Sequence, residues 1–310
     1  MKDAILFGDC RQSLKQLHDE NVKVQMCVTS PPYYGLRNYG DESNQIGQEN
    51  TPEEYIQEMV NVFEDVKNIL HDDGVLFLNI GDSYYNYRPG KAYVKQTVSK
   101  TNQDLPTVSP KRSNKLTNYK EKDLIGIPWM LAFALRSAGW YLRQDIIWHK
   151  PNPMPESVKD RCTKSHEYLF LLSKNKKYYF DNEAIKEPVK KDWGTRNRDN
   201  GKYHNKGTGL QPHTGLSKSY PTKNKRSVWT VTSKPYKEAH FATYPPDLIE
   251  PCIKAGSRKG DIILDPFMGS GTTAMVSKQL DRHFIGCELH DSYKTLIDGR
   301  LPNTALSDLF

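Results

Sequence analysis

Two periods of apolar residues alternate along this chain, and together they predict strands separated by helices. Short apolar runs, typical of buried strands, lie at residues 5–7, 24–28, 75–80, 141–148, 166–172, 262–264 and 284–287. Apolar residues at helical spacing lie at 11–19, 51–70, 128–139 and 244–254, and again from Thr272 and near 291–300. Strands that alternate with helices in this way predict an α/β fold whose sheet is largely parallel.

Local signals refine this pattern at three places. Thr51, followed by Pro52 and two acids, is typical of a helix N-terminus. Asp73-Gly74 predicts a turn before the strand at 75–80. The connection from 150 to 164 contains three prolines and no helical pattern, so the strands at 141–148 and 166–172 are predicted to pair antiparallel.

Composition places the chain among soluble proteins. Its 310 residues can bury a full core, and 36% hydrophobic with 26% charged residues is ordinary for a globular protein. No apolar run approaches the roughly 18 residues that span a bilayer, and the first residues lack the layout of a signal peptide. The five cysteines are scattered without a CxxC pair. We therefore expect a cytoplasmic protein with no metal site and no disulfide framework.

The net charge of +7 is unevenly distributed. Residues 88–122 contain nine Lys and Arg against two acids, and residues 190–226 contain ten against two. These segments carry +7 and +8, which leaves −8 on the rest of the chain. They can be solvated, flexible loops. However, two basic segments on an acidic body favour a second interpretation, in which they are arms that bind a phosphate backbone.

Two short motifs follow predicted strands at opposite ends of the chain. The first is a stiff turn with outward carbonyls and an aromatic ring, because proline fixes φ and has no N–H: Thr29-Ser30-Pro31-Pro32-Tyr33. The second is a Gly-rich turn into a helix, which lets the backbone approach a ligand closely: Asp265-Pro266-Phe267-Met268-Gly269-Ser270-Gly271-Thr272-Thr273. Together they indicate a site that moves a group from a nucleotide-like cofactor to a planar amine.

Glu288 strengthens the interpretation of the second motif. It follows Asp265 by 23 residues and comes directly after the next apolar strand. A carboxylate there can accept hydrogen bonds from both hydroxyls of a ribose. The alternatives are a surface acid at position 288 and a plain proline turn at 30–33, but the two motifs support each other.

The motifs resemble those of the DNA amino-methyltransferases that use S-adenosylmethionine. The order, with the catalytic motif first, is similar to the permuted β class, and Ser rather than Asp at position 30 is most similar to the N4-cytosine enzymes. The resemblance covers most of the chain apart from the two basic segments. It implies a Rossmann-like class I methyltransferase fold: a mostly parallel seven-stranded sheet with one antiparallel strand, a circularly permuted motif order and a variable target-recognition insertion.

The resemblance also implies a division of the chain. Residues 1–183 would form the catalytic half, with a basic insertion at about 86–122. Residues 184–230 would form the target-recognition region, and residues 231–310 the S-adenosylmethionine-binding half of the same domain. The implied partners are double-stranded DNA and a cognate endonuclease of a restriction-modification system, with no membrane.

Individual roles follow from matching the motifs. The implied catalytic residues are Ser30, Pro31, Pro32 and Tyr33. The implied cofactor-binding residues are Asp265, Pro266, Phe267, Gly269, Ser270, Gly271, Thr272, Glu288, Asp9 and Phe241. For Phe241, ordinary core packing is an equal alternative. The predicted DNA contacts are Arg196, Asn197 and Arg198, which could read base edges, with Lys111 and Arg112 on the other basic segment.

The chemistry explains why these residue types suit the reaction. An exocyclic amine is a poor nucleophile because its lone pair is delocalised into the ring. Acceptors for both N–H bonds, such as the Ser30 hydroxyl and the Pro31 carbonyl, turn that lone pair toward a methyl donor, while Tyr33 can stack on the base. We expect direct displacement on a flipped-out base with no covalent intermediate, with Cys27 as a core residue.

Several alternatives remain at the level of the sequence. The nearest is N6-adenine methylation by the same architecture, which only Ser30 argues against. An RNA amine methyltransferase is another, although no RNA-binding signature is present. A DNA-binding protein with an inactive fold conflicts with the intact motifs. A small-molecule methyltransferase would not need two segments that carry +15 together.

Overall fold

The computed structural model describes residues 1–35, 45–85, 116–189, 221–233 and 244–301. Ten strands lie in these ranges: β1 (Ala4–Phe7), β2 (Val24–Thr29), β3 (Leu70–Ile80), β4 (Tyr141–His149), β5 (His166–Ser173), β6 (Glu187–Pro188), β7 (Thr222–Lys223), β8 (Val228–Thr230), β9 (Ile262–Asp265) and β10 (His283–Glu288). β6 and β7 form a separate antiparallel pair, and the other eight form one sheet.

The large sheet has the order β1-β10-β9-β2-β3-β5-β4-β8. β5 is antiparallel to both of its neighbours, and all the other pairs are parallel. The prediction of a mostly parallel sheet with one antiparallel strand is therefore confirmed. Because of this arrangement, the carboxyl ends of the parallel strands and the first residues of β5 lie along one edge of the sheet. Ligands of open α/β sheets bind at such an edge.

Six α-helices are described: α1 (Cys10–Asp19), α2 (Pro52–Ile69), α3 (Ile127–Ser137), α4 (Pro246–Gly256), α5 (Thr272–Gln279) and α6 (Lys294–Arg300). Short 3₁₀ turns lie at Glu183–Ile185 and Asp291–Tyr293. The predicted start of α2 is confirmed as a capping box, in which the Thr51 hydroxyl accepts from the Glu54 N–H and the Glu54 carboxylate accepts from the Thr51 N–H.

The helices cover both faces of the sheet. Buried residues of α1, α2 and α3, such as Leu14, Phe63 and Leu131, pack on one face. Leu248 of α4 and Val276 of α5 pack on the other. A third, smaller cluster joins Ile297 of α6 to Phe284 of β10 and to Met268. None of the helices in the described ranges combines the length and apolar character that a membrane crossing requires.

Two details differ from the sequence prediction. The sheet has eight strands rather than seven, because Val228–Thr230 adds β8 in parallel beside β4. The turn predicted at Asp73-Gly74 was wrong, since strand β3 already begins at Leu70. The register explains the misleading signal: Val24 and Met26 of β2 pair with Leu70 and Val75 of β3, so the extra residues on β3 form an irregularity inside the strand.

Candidate active site

The two sequence motifs meet at the centre of the sheet edge. β2 and β9 are neighbours there, with Cys27 opposite Leu264, and each motif begins where its strand ends. The Thr29 hydroxyl donates a hydrogen bond of 2.6 Å to Oδ1 of Asp265, although 236 positions separate the two residues in the chain. The fold thus turns two distant sequence signals into one site.

Asp265 fixes the beginning of the Gly-rich turn. Its carboxylate is fully buried and accepts four hydrogen bonds, from the hydroxyls of Thr29, Tyr244 and Thr273 and from the Phe267 N–H. Burial raises the pKa of the Asp265 carboxyl above its ordinary value, and the four donors act against that rise. With four protein donors, the carboxylate is occupied in holding the strand end and the turn together.

The turn after Asp265 uses two glycines in the left-handed region. Gly269 has φ of 53° and Gly271 has φ of 81°, conformations that side chains rarely adopt. A Cβ on Gly271 would also lie 3.2 Å from the Ile297 side chain, so α6 packs directly against the turn. Helix α5 starts immediately afterwards at Thr272.

Glu288 braces the same turn from the end of β10. Oε2 accepts from the Gly269 N–H at 2.8 Å, and Oε1 accepts from the His290 N–H at 3.0 Å. The residue is 8% exposed, and burial raises the pKa of its carboxyl against the effect of these two hydrogen bonds. Each oxygen keeps acceptor capacity beyond the one backbone donor that it binds.

Arg300 of α6 holds the turn from the opposite side. Its Nη1 donates to the carbonyl and hydroxyl of Ser270 at 3.1 and 2.8 Å, and to the hydroxyl of Thr272 at 2.8 Å. Ser270 and Thr272 are themselves buried. Because α6 gave only a weak signal in the sequence, this contact was not foreseen.

The Ser-Pro-Pro-Tyr turn projects from the end of β2 with its carbonyls in different roles. The Pro32 carbonyl accepts a hydrogen bond of 2.9 Å from the hydroxyl of Tyr55 on α2. No donor within the part of the chain that the structure describes contacts the Pro31 carbonyl. Ser30 is half-buried, and its hydroxyl lies 3.4 Å from the Tyr33 hydroxyl. The turn therefore places a carbonyl with no donor among the described residues directly after the Ser30 hydroxyl in the chain.

The Tyr33 hydroxyl belongs to a polar network that the sequence did not reveal. It donates to Oε2 of Glu167 at 2.7 Å, and Nδ2 of Asn79 reaches the same oxygen at 3.3 Å. The other carboxylate oxygen of Glu167 forms an ion pair with the Lys150 ammonium. Burial, and then the Glu167 charge, raise the pKa of Tyr33 well above its ordinary value, so the hydroxyl stays protonated.

These network residues come from different strands of the same edge. Asn79 is on β3, Lys150 directly follows β4, and Glu167 is the second residue of the antiparallel β5. In the sequence each is a single polar residue at a strand end, which is a weak signal on its own. The antiparallel pairing of β4 with β5, which the sequence did predict, brings Trp148 opposite Glu167. This pairing is the one signal that could have located Glu167 at the edge of the sheet.

The remaining predicted residues fall into two groups. Asp9 caps helix α1 and binds Arg11 through a backbone N–H and a close ion pair of 2.6 Å. Pro266 and Phe267 lie between Asp265 and the glycines, in the turn itself. Outside the described residues lie Lys111, Arg112, Arg196, Asn197, Arg198 and Phe241. The described residue closest in sequence to Phe241 is Tyr244, whose hydroxyl binds Asp265 at 2.8 Å.

The arrangement suits group transfer between two bound molecules. A braced Gly-rich turn with a carboxylate stands beside a turn that presents a hydroxyl, a carbonyl and an aromatic ring. Within the described ranges, His, Cys, Asp and Glu side chains form no cluster that could hold a metal ion. The hydroxyls, carboxylates and backbone groups of the two turns can bind ligands, orient them and move protons.

Several known proteins are similar to this chain in sequence. A family model described as DNA methylase matches residues 24–298. The chain is 44% identical over 297 residues to the Type II methyltransferase M.SmaI of Serratia marcescens, which covers 96% of this chain and 90% of that protein. It is 43% identical over 302 residues to the Type II methyltransferase M.Cfr9I of Citrobacter freundii, with 97% and 88% covered.

Solved structures share the fold at lower identity. The PvuII DNA methyltransferase, titled as cytosine-N4-specific, has a TM-score of 0.61 and 16% identity, with 98% of this chain and 88% of that chain covered. The complex of M1.HpyAVI with SAM has a TM-score of 0.55 and 18% identity, with 96% and 98% covered. At these identities the likeness concerns the α/β architecture, and it confirms the predicted methyltransferase fold.

Proposed function

The chain belongs to the DNA methylase family, and from that premise we propose that it transfers a methyl group from S-adenosylmethionine to the N4 amine of a flipped-out cytosine in duplex DNA. The observation that carries this proposal is the pair of acceptors at the end of β2. The Ser30 hydroxyl and the Pro31 carbonyl, to which no described residue donates, are adjacent in the chain, and an amine with two N–H bonds needs two such acceptors.

Cytosine is proposed over adenine on the identity of one residue. Position 30 is Ser, as in the N4-cytosine enzymes that the motif resembles, rather than Asp. N6-adenine methylation by the same site is the second candidate, because the two bases present similar amines. The fold and the acceptor geometry serve both.

The residues of the Gly-rich turn fit the proposed cofactor. Glu288 has one backbone donor on each oxygen, which leaves acceptor capacity for two ribose hydroxyls. The first turn of α5 lacks the Lys of a phosphate-binding loop, as suits a ligand without phosphates. Bound there, S-adenosylmethionine would supply an electrophilic methyl group on a sulfonium. Phe267, Ser270 and Thr272 would line this site, with Asp9 and Phe241 at its border.

The catalytic turn would act mainly by orientation. Ser30 and the Pro31 carbonyl would accept the two N–H bonds, so that the nitrogen lone pair points at the methyl carbon. The Tyr33 ring would lie against the base, and Tyr55 would keep the turn rigid through Pro32. Alignment of this kind can supply a large share of the rate enhancement. The thiol of Cys27 is fully buried in β2, which suits a core role.

Duplex DNA would be bound by the two basic segments. A base inside a duplex must leave the stack to reach the turn, at a cost of a few kcal/mol that contacts to the backbone offset. Residues 184–230 would recognise the target, with Arg196, Asn197 and Arg198 at base edges and Lys111 and Arg112 at phosphates. We also propose a restriction-modification role with a cognate endonuclease, because the similar curated proteins are named Type II methyltransferases.

A direct test is incubation of the pure protein with unmethylated plasmid DNA and methyl-labelled S-adenosylmethionine, followed by nucleoside mass spectrometry. N4-methylcytosine is the expected product. N6-methyladenine would keep the architecture and move the proposal to the second candidate. Ser30→Ala serves as the matched control, since it should lose label while still binding S-adenosylhomocysteine. An unlabelled DNA product with the wild-type protein would overturn the proposed function.

A further inference from the structure

Three oxygen atoms form a continuous line from the catalytic turn to a carboxylate. The Ser30 hydroxyl lies 3.4 Å from the Tyr33 hydroxyl, and the Tyr33 hydroxyl lies 2.7 Å from Oε2 of Glu167. The first atom faces the position proposed for the target amine. The last belongs to a side chain that is only 16% exposed and that no sequence motif includes.

The donor directions along this line are set by its far end. Glu167 accepts hydrogen bonds from Tyr33 and from Asn79 and pairs with the Lys150 ammonium, an arrangement that suits an ionised carboxylate. Tyr33 therefore donates to Glu167 and accepts from Ser30. The Ser30 hydroxyl thus donates its proton to the Tyr33 oxygen. The lone pairs of the Ser30 oxygen can then accept a hydrogen bond from the amine.

We infer that Glu167 is the terminal proton acceptor of the methyl transfer, reached through Ser30 and Tyr33. The inference rests on the proposed methylation of an amine. The amine nitrogen forms a bond to the methyl carbon, and the carbon–sulfur bond breaks with its electron pair on sulfur. An amine proton passes to the Ser30 oxygen, the Ser30 proton to Tyr33, and the Tyr33 proton to Glu167. The positive charge of the sulfonium and the negative charge of Glu167 disappear together.

The surroundings of Glu167 suit a base that works in this way. Lys150 holds the carboxylate in place, and the Lys150 ammonium itself lies 4.1 Å from the centre of the Trp148 ring. Asn79 is fixed by a second hydrogen bond, to the Tyr168 carbonyl at 3.1 Å. A neutral serine hydroxyl is a poor base. The carboxylate of Glu167, linked to it through Tyr33, supplies the stronger proton acceptor that the turn lacks.

Other ionisable groups lie near Glu167, and their effects must be separated from those of Glu167 in a pH experiment. Lys164, whose ammonium binds the Asp82 carbonyl, and His166 lie on the chain just before it, and His149 is opposite His166 on β4. Burial, and then the Lys164 charge, lower the pKa of His166 below its ordinary value, so the charge of this imidazole changes at acid pH. His166→Gln is therefore a necessary comparison.

The test is the pH dependence of the single-turnover rate, with labelled cofactor, excess protein and plasmid DNA. The wild-type rate should fall at acid pH, where protons compete for the acceptor at the end of the proposed path. Glu167→Gln should be about 10- to 100-fold slower near neutral pH and should lack that acid limb. Tyr33→Phe interrupts the line without touching the Lys150–Glu167 pair, and it should show the same loss. The double variant should lose no more than either single variant.

Two controls limit the alternatives. Glu250→Gln removes another Lys-paired glutamate, on α4, and should leave both rate and pH profile unchanged. His166→Gln should keep the acid limb. Binding of S-adenosylhomocysteine and melting temperature, measured for every variant, separate a lost proton acceptor from a lost fold.

The outcomes distinguish this inference from the function on which it rests. Methyl transfer by the wild type with an unchanged rate and profile in Glu167→Gln overturns the proton path alone. A full wild-type rate in Tyr33→Phe at every pH does the same. If the wild type methylates no DNA base, the proposed function itself fails.

Discussion

Gly81 packs directly against the ring of Tyr33, the last residue of the Ser-Pro-Pro-Tyr turn. A Cβ at this position would lie 2.6 Å from Cε2 of the Tyr33 ring, closer than real side chains approach. The Tyr33 hydroxyl is held at its other end by Glu167, so the ring cannot move aside without losing that contact.

We therefore expect Gly81→Ala to lower the single-turnover rate of methyl transfer by about tenfold or more, because a small displacement of a positioned group is costly. The affinity for S-adenosylhomocysteine should change little. Gly299→Ala is the matched control, since a Cβ there meets nothing within 4 Å. Equal rates for the two variants would contradict the crowding at Tyr33.

Asp9 was predicted to contact the cofactor, and in the structure its carboxylate stabilises the start of helix α1. It accepts from the Arg11 N–H at the start of α1 and pairs with the Arg11 guanidinium. Burial acts to raise the pKa of Asp9, but the hydrogen bonds and charge of Arg11 outweigh it and hold the pKa below its ordinary value of 3.8.

A lowered pKa in the folded state means that Asp9 stabilises the fold above pH 4 and that the contribution disappears as the pH falls below that value. Asp9→Asn keeps a capping oxygen but loses the ion pair, so the free energy of unfolding should drop by about 0.5–1 kcal/mol at pH 7. Denaturant unfolding at pH 7 and near pH 3.5 should show the difference shrinking. A difference independent of pH would contradict this assignment.

At the residue scale, the sequence revealed only those side chains that stand in motifs. Ser30, Tyr33, Asp265 and Glu288 sit beside prolines, glycines or strand ends whose pattern is local. Glu167 could not be found in this way, because its partner Tyr33 is 134 positions away and the contact depends on the order of the strands. The roles assigned to these residues in catalysis remain predictions.

At the scale of elements, the short helix α6 has a larger part than its length suggests. Arg300 in its last turn reaches the Gly-rich turn through three hydrogen bonds, two of them to Ser270. Ile297, one turn earlier, packs against Gly271. The helix thus fixes the shape of the Gly-rich turn.

Arg300→Ala should weaken the binding of S-adenosylhomocysteine about tenfold, because hydrogen bonds from a charged group that hold the turn are lost. Isothermal titration calorimetry measures this change. Arg258→Ala is a suitable control, as that guanidinium stacks over Tyr179 and pairs with Asp73 instead. An unchanged dissociation constant in Arg300→Ala would show that the turn holds its shape alone.

Elements were predictable where their own residues specify them. Helix α2 has a capping box and a long apolar stripe, and strands β2 and β9 are mostly apolar. Strand β8 has three residues, only one of them buried, and forms because β4 offers an edge beside it. The start of β3 was missed since Asp73-Gly74 resembles a turn, whereas neighbouring β2 keeps those residues within the strand.

At the scale of the whole molecule, positive charge is concentrated in two segments of the chain. The acidic remainder of the chain carries −8 and the two basic segments carry +15. If those segments contact about six phosphates, DNA affinity should fall roughly 1,000-fold between 50 and 200 mM salt. Fluorescence anisotropy with a labelled duplex measures this dependence.

A variant that combines Lys111→Ala with Arg112→Ala should reduce the salt slope by about two, roughly one for each phosphate contact removed. The affinity for S-adenosylhomocysteine should not follow the salt concentration, because the turn that would bind it depends on buried hydrogen bonds. A slope that stays the same in the variant would assign the DNA contacts to other residues.

The pairing of β2 with β9 also has a consequence for how the protein is made. Strand β2 is buried along its whole length. Its neighbour β9 lies far along the chain, since Thr29 and Asp265, which bond across the two strand ends, are 236 positions apart. At 5–20 residues per second, a ribosome needs about 10–50 seconds to synthesise that interval. During this time the nascent chain carries an apolar strand with one edge unpaired, which chaperones must shield from aggregation. Slower growth and added chaperone should therefore raise the soluble yield of the protein.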